Sequence, residues 1–165
     1  INEGWVVDGV MSQSETQARS LWRLREDISE TLSAYTPYKN DLSVKISVIP
    51  DFLEAVVELI NKNYTEFEVL WYGHIGDGNI HLNILKPEDM LPAEFFKKCK
   101  SLNPMIFKLT QQMNGSVSAE HGVGLLKRDD LSYTRSKEEI SIMRQLKAVF
   151  DPNGIMNPGK IFTES

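Results

Sequence analysis

An α+β fold is what this sequence predicts, and three patterns carry the prediction. Apolar and polar residues alternate with the period of a half-buried strand at 42–48 and 79–85. Segments 51–62 and 92–113 instead carry apolar residues at helical spacing. From residue 41 to about 119 the two kinds follow one another in the order βαββαβ, the ferredoxin-like arrangement of an antiparallel sheet with helices on one face. An N-terminal helix precedes this unit and a C-terminal helical tail follows it.

Residues 5–10, around Trp5-Val6-Val7, read as a strand. Ser12 followed by Glu15 is a capping-box signal for a helix over roughly 14–34, with Leu21, Leu24, Ile28 and Leu32 as its apolar stripe and Pro37 as its stop. Leu42, Val44, Ile46 and Val48 then alternate with Ser43, Lys45 and Ser47 as a strand. Leu53, Val56, Val57 and Ile60 mark the next helix. Strands at about 66–75 and 79–85 are joined by an Asp77-Gly78 turn. Phe95, Cys99, Leu102, Ile106, Leu109 and Met113 line one side of the 92–113 helix, where Pro104 predicts a kink or a division into two. A short strand is expected near 115–119. Ser136 with Glu139 caps a last helix that ends at the Asp151-Pro152-Asn153-Gly154 turn.

Composition narrows the function. The 165 residues suit one domain with a real core, and 41% hydrophobic with 25% charged residues is ordinary for a globular protein. Eighteen basic against 23 acidic side chains, net charge −5, disfavour a nucleic-acid or anionic-membrane surface. Cys99 is the only cysteine, so no internal disulfide forms. No apolar run approaches spanning length, and no signal-peptide pattern is present. A first residue of Ile1, in what reads as the tail of a strand, suggests a fragment of a longer polypeptide.

Chemistry concentrates in two glycine-rich stretches. In Gly73-His74-Ile75-Gly76-Asp77-Gly78-Asn79-Ile80-His81-Leu82-Asn83, a type I′ turn at Asp77-Gly78 pairs Gly76 with Asn79, Ile75 with Ile80 and His74 with His81. Directly opposed Cβ atoms lie roughly 4.5–5.5 Å apart, close enough for two imidazoles to share one metal ion. Asn83 shares their face, while Ile80, Leu82 and Ile84 point into a core. The second stretch, Gly115-Ser116-Val117-Ser118-Ala119-Glu120-His121-Gly122-Val123-Gly124, adds a carboxylate and an imidazole. All three histidines of the chain fall in these two stretches. His74, His81 and Glu120 make a two-histidine, one-carboxylate set of the kind that holds a divalent metal with positions open to substrate. The bland readings are a surface histidine pair, a simple turn at Asp77, and core packing for Cys99 and its stripe.

Residues 73–83, Ala119-Glu120-His121-Gly122-Val123-Gly124 with Lys127, and Phe150-Asp151-Pro152-Asn153-Gly154-Ile155-Met156-Asn157-Pro158-Gly159-Lys160-Ile161 together resemble the C-terminal half of FAD-linked 2-hydroxy-acid dehydrogenases. That family includes D-lactate dehydrogenases, the glycolate oxidase subunit and D-2-hydroxyglutarate dehydrogenase, within the vanillyl-alcohol-oxidase superfamily. The resemblance implies a substrate-binding cap domain, spanning 1–165, of a chain whose N-terminal FAD-binding domain is not in this sequence. It implies metal ligation, by zinc or manganese, at His74, His81 and Glu120, and His121 as the general base that takes the 2-hydroxyl proton. Hydride would pass from C2 to the flavin. Arg25 matches the arginine that grips the substrate carboxylate, with Ser29 one turn later at a position often occupied by Thr. Lys39 and Asn83 match further substrate-side positions, and Lys127 and Asn157 positions close to the flavin. Many members carry Pro at the place of Lys45, the spacing around Lys39 differs slightly, and not every member uses a metal.

The partners so implied are a small 2-hydroxy acid, the flavin domain of the same chain and an electron acceptor, with a homodimer as one assembly. The setting implied is intracellular: cytoplasmic or membrane-peripheral in a bacterium, mitochondrial in a eukaryote. The fragment by itself is expected to be inactive. A rival reading is a free-standing ferredoxin-like module that binds a small carboxylate or metal without catalysis, which leaves the flavin-side tail unexplained. An RNA-binding ferredoxin-like domain is disfavoured by the acidic balance and the lack of an aromatic RNA-stacking strand.

Overall fold

The computed structural model describes residues 3–163, which divide into two compact units, the first ending at Thr36 and the second beginning at Pro37. The first unit holds α1 (Glu15–Glu26) and α2 (Ile28–Ser33). Ser14, not Ser12, caps α1: its hydroxyl accepts from Gln17 N, while Gln17 Oε1 accepts from Gln13 N at 2.7 Å. The single helix expected over 14–34 is broken at Asp27 (φ −82°, ψ 0°), whose carboxylate is drawn back to Arg23 at 2.9 Å. Arg25 and Ser29 therefore stand on two helices rather than on one face of one helix. The strand expected at 5–10 does not form. No other strand exists among the described residues of this unit to complete a ladder, and Trp5 and Val7 are exposed.

The second unit contains β1 (Tyr38–Ser43), α3 (Ile49–Asn63), β2 (Glu68–His74), β3 (Asn79–Leu85), α4 (Pro92–Gln112) and α5 (Lys137–Phe150). Its sheet is antiparallel with strand order β1-β3-β2. Residues 42–48 were expected to be the first strand; the strand lies mostly before them, at 38–43. The ladder stops when Val44 N donates to Gly78 O at 3.0 Å. Residues 46–48 then form a 3₁₀ turn, and Pro50, in the first turn of α3, commits the chain to helix. The alternation of Leu42, Val44, Ile46 and Val48 thus belongs to an approach to a helix.

The core lies between one sheet face and two helices. Leu42, Ile80, Leu82 and Ile84 of the sheet meet Phe52, Val56 and Ile60 of α3 and Phe95, Cys99, Leu102 and Ile106 of α4, all buried. Each such large apolar side chain contributes roughly 1.5–3 kcal/mol of transfer free energy. Of the kink or division expected at Pro104, the division does not occur: α4 runs through it as one helix. Pro104 sits on the exposed side, as does Lys100, so the carbonyl deprived of its bond faces solvent.

The fourth strand expected near 115–119 is reduced to one bridge, Ser43 with Ser116. Side chains take over the backbone groups a ladder would have used. Val117 N donates to Thr134 Oγ1 at 3.0 Å, Ser118 N to Ser116 Oγ at 3.2 Å, and Lys127 Nζ to Val117 O at 2.6 Å. No helix among the described residues is long and apolar enough to cross a membrane.

Candidate functional site

Register assigns the chemistry to the sheet face opposite the helices. Tyr72 pairs with His81, His74 with Asn79 and Leu70 with Asn83, while β1 sets Asp41 against His81 and Lys39 against Asn83. Lys39, Asp41, Tyr72, His74, Asn79, His81 and Asn83 therefore share that face. The expected pairing of His74 with His81 is two residues out. Only Gly78 takes positive φ (70°), so no type I′ turn forms; Ile75–Asp77 make a 3₁₀ turn closed by Gly78 N donating to Ile75 O. A shift of two keeps each side chain on its side of the sheet. His74 and His81 are diagonal neighbours with ring centroids 5.6 Å apart.

Glu120 comes to these imidazoles from the loop after the bridge. Its Oε1 lies 2.7 Å from His74 Nδ1, and its Oε2 3.9 Å from His81 Nε2. One ligand atom from each of His74, His81 and Glu120 lies within 4.8 Å of the others. Two imidazole nitrogens and a carboxylate at that separation fit a divalent ion. His81 is enclosed by rings, with Tyr72 at 4.9 Å and His121 stacked at 5.5 Å. Burial lowers its pKa against the opposing pull of Asp41 and Glu120, with His121 and His74 adding to the lowering. An imidazole kept neutral is the form that binds metal. The His121 side chain is more open than that of His81, 63% against 12% exposed, so it faces solvent beside the triad.

The sequence reading missed Asp41, which is 2% exposed and the most heavily bonded carboxylate of the site. Its Oδ2 accepts from both Glu120 N and His121 N at 2.8 Å, and its Oδ1 from Asn79 Nδ2 at 2.8 Å. Burial opposes its charge, but those donors together with the charge of His121 outweigh burial and hold its pKa below the ordinary value. The available signal was an Asp beside an Asn directly before an apolar run, residue types that strands disfavour unless they have a task.

The remaining expected positions are spread out. Asn83 is fully buried; its amide donates to His81 O at 3.0 Å while Oδ1 has no protein partner. Lys39 lies exposed on the same face. Lys127 is committed to carbonyls, donating to Val117 O at 2.6 Å and to Asp41 O at 3.3 Å, and desolvation lowers its pKa. Asn157 stands at φ 47° in the C-terminal tail, which Ile161 N ties to Gly124 O at 2.8 Å and Arg128 to Gly159 O at 3.0 Å. Arg25 and Ser29 belong to the first unit, where the Arg25 guanidinium lies over the Trp22 ring at 5.9 Å.

Comparison with known proteins gives a consistent match. Residues 1–161 match the model of the family described as FAD linked oxidases, C-terminal domain. A D-2-hydroxyglutarate dehydrogenase of Stutzerimonas stutzeri is 59% identical over 98% of this chain and 35% of its own length. One from Xanthomonas citri pv. viticola is 51% identical over 98% of the chain and 34% of its own. A mitochondrial one from Arabidopsis thaliana is 38% identical over all of the chain and 28% of its own. The chain thus spans about a third of the length of these relatives.

Proposed function

The chain belongs to the family of FAD-linked oxidase C-terminal domains, and on that premise we propose that it is the substrate- and metal-holding part of an FAD-dependent dehydrogenase. The reaction proposed is oxidation of a D-2-hydroxy acid to the 2-oxo acid. The names of the relatives favour 2-hydroxyglutarate over lactate or glycolate. The flavin is assigned mainly to a further domain of the full-length protein, in keeping with the share of the relatives that this chain spans. Within the chain, the commitment of the Lys127 ammonium to two carbonyls gives it a supporting role at the cofactor's edge rather than a direct grip. We read the second unit as the ferredoxin-like arrangement with its fourth strand shortened to the Ser43–Ser116 bridge, on the outer edge of β1.

The observation that carries the proposal is the convergence of His74, His81 and Glu120 on one polar sheet face with His121 beside them. When bound, the ion would make the substrate hydroxyl more acidic and the flavin would accept the hydride. His74, His81 and Glu120 would hold the ion; His121, stacked on His81 and open to solvent, would receive the hydroxyl proton and release it to water. Asn83 offers its unpartnered oxygen from the same face. The setting proposed is mitochondrial in a eukaryote and cytoplasmic or membrane-peripheral in a bacterium, with an electron acceptor outside this chain.

The test uses the full-length protein. Anaerobic addition of D-2-hydroxyglutarate is expected to bleach the flavin spectrum, with D-lactate and glycolate slower and the L-isomers inert. No bleaching with any 2-hydroxy acid rejects the reading. His81→Ala is expected to lose both bound metal and turnover, and a metal-free variant with full activity removes the triad from the mechanism.

A further inference from the structure

The segment from Val117 to Lys127 contains no helix or strand, yet it must deliver Glu120 and His121 to the same spot. One buried side chain reaches it at two successive residues. Asp41 Oδ2 accepts from Glu120 N and His121 N, both at 2.8 Å, and the Asp41 main-chain oxygen accepts from Ala119 N and Lys127 Nζ, both at 3.3 Å. We propose that Asp41 is the positioning residue of the site: its carboxylate fixes the backbone of Glu120 and His121 and thereby aims one side chain at His74 and the other at His81.

The geometry separates this role from that of a ligand. Asp41, His81 and His121 also bring one ligand atom each within 4.8 Å of one another, so a cation between them is the competing reading. Both Asp41 oxygens are already engaged, however, Oδ2 by two backbone donors and Oδ1 by Asn79. The nearest imidazole nitrogens stand off at 3.8 Å (His81) and 3.9 Å (His121). To turn toward an ion, Asp41 would strand donors it now satisfies, leaving N–H groups without a partner. A carboxylate receiving consecutive N–H groups is instead a charge-assisted anchor of a backbone nest. Beyond it, Gly122 at φ +73° lets the chain turn away, a conformation glycine adopts without strain. Glu120 is left pointing to His74 at 2.7 Å, and His121 stacked on His81.

The inference rests on the proposed function only for the metal, so its test has two arms. Amide ¹H–¹⁵N spectra and calorimetric zinc titrations would be recorded on the chain and on its Asp41→Asn and Asp41→Ala variants. The Asn oxygen still accepts both N–H groups, and Asn79 can turn its unpartnered Oδ1 to the new amide. In Asp41→Ala the Glu120 and His121 amides are expected to move upfield and zinc binding to weaken ten- to a hundredfold, whereas Asp41→Asn keeps both amides bonded and binding within about threefold. Unmoved amides in Asp41→Ala overturn the proposal, whether or not the chain binds zinc. Equal loss of binding in the two variants, with the amides of Asp41→Asn in place, makes Asp41 a ligand and overturns it as well. Should Asp41→Ala not fold, Asp41→Asn decides: bonded amides with zinc binding kept support the role, and lost binding rejects it. A wild-type chain that binds no zinc counts against the proposed metal, and the amides then decide Asp41 alone.

Discussion

His81 and Cys99 are both titratable, and enclosure drives both toward their neutral forms. Desolvation pushes the Cys99 thiol up to about 12. A thiol in the α4 core is therefore expected to ignore a disulfide reagent at mildly alkaline pH and to react at once in denaturant. Fast labelling of the folded chain would place Cys99 outside the core. Asp151 shows the opposite balance. Lys147 Nζ, then the backbone N–H of Met156 and Ile155, hold its carboxyl below the ordinary 3.8 in spite of burial. A carboxyl whose folded pKa is depressed stabilises the fold above its unfolded value, and that contribution is lost as pH falls through the folded one. Melting temperature is thus expected to drop as pH falls below 3.8, and Asp151→Asn to shallow that drop. An unchanged acid limb in the variant would remove Asp151 from the cause.

Among the elements, the β2–β3 hairpin decides most. Its turn was expected on Asp77-Gly78, but the strands close at His74 and Asn79 around four residues, with Gly78 alone left-handed. A Cβ at Gly78 would run into the carbonyl oxygen of Val44, the residue whose N–H makes the last β1 bond to Gly78 O. Gly78→Ala is therefore expected to cost about 2 kcal/mol or more, from left-handed strain and the clash together. Chemical denaturation measures it, and a cost under about 0.5 kcal/mol, the scale of a neutral surface change, would reject the required φ. The two-residue error in register left the site face legible, because side chains alternate with period two. An error of one would have put His81 in the core.

For the molecule as a whole, the sheet separates two tasks. One face is sealed by α3 and α4, and the other carries the polar residues that Glu120 and His121 complete from a distant loop. Ligand binding to that face alone links site occupancy to global stability. At a free zinc concentration a hundred times the dissociation constant, the chain is expected to gain about 2.7 kcal/mol. A thermal melt checks this: zinc should raise the midpoint, EDTA should reverse it, and His81→Ala should show no shift. A rise of the same size in His81→Ala would assign the binding elsewhere.

The α+β class, both core helices, the capping box at Ser136 and the two stretches that hold every histidine are all legible in the chain before folding. These follow from local periodicity, turn residues and composition, which are written in neighbouring positions. What the sequence misjudged depends on distant partners. The strand at 5–10 lacks a ladder partner among the described residues of its unit, β1 runs from Tyr38 to Ser43 with Val44 N making its last bond to Gly78 O, and the fourth strand gave way to bonds from Thr134 and Lys127. The two glycine-rich motifs and the family resemblance had already grouped Glu120 and His121 with His74 and His81; folding alone added Asp41, whose carboxylate accepts from the Glu120 and His121 amides. Asp41 lies 79 and 80 residues from the amides it binds, and no local pattern records a hydrogen bond closed across that separation.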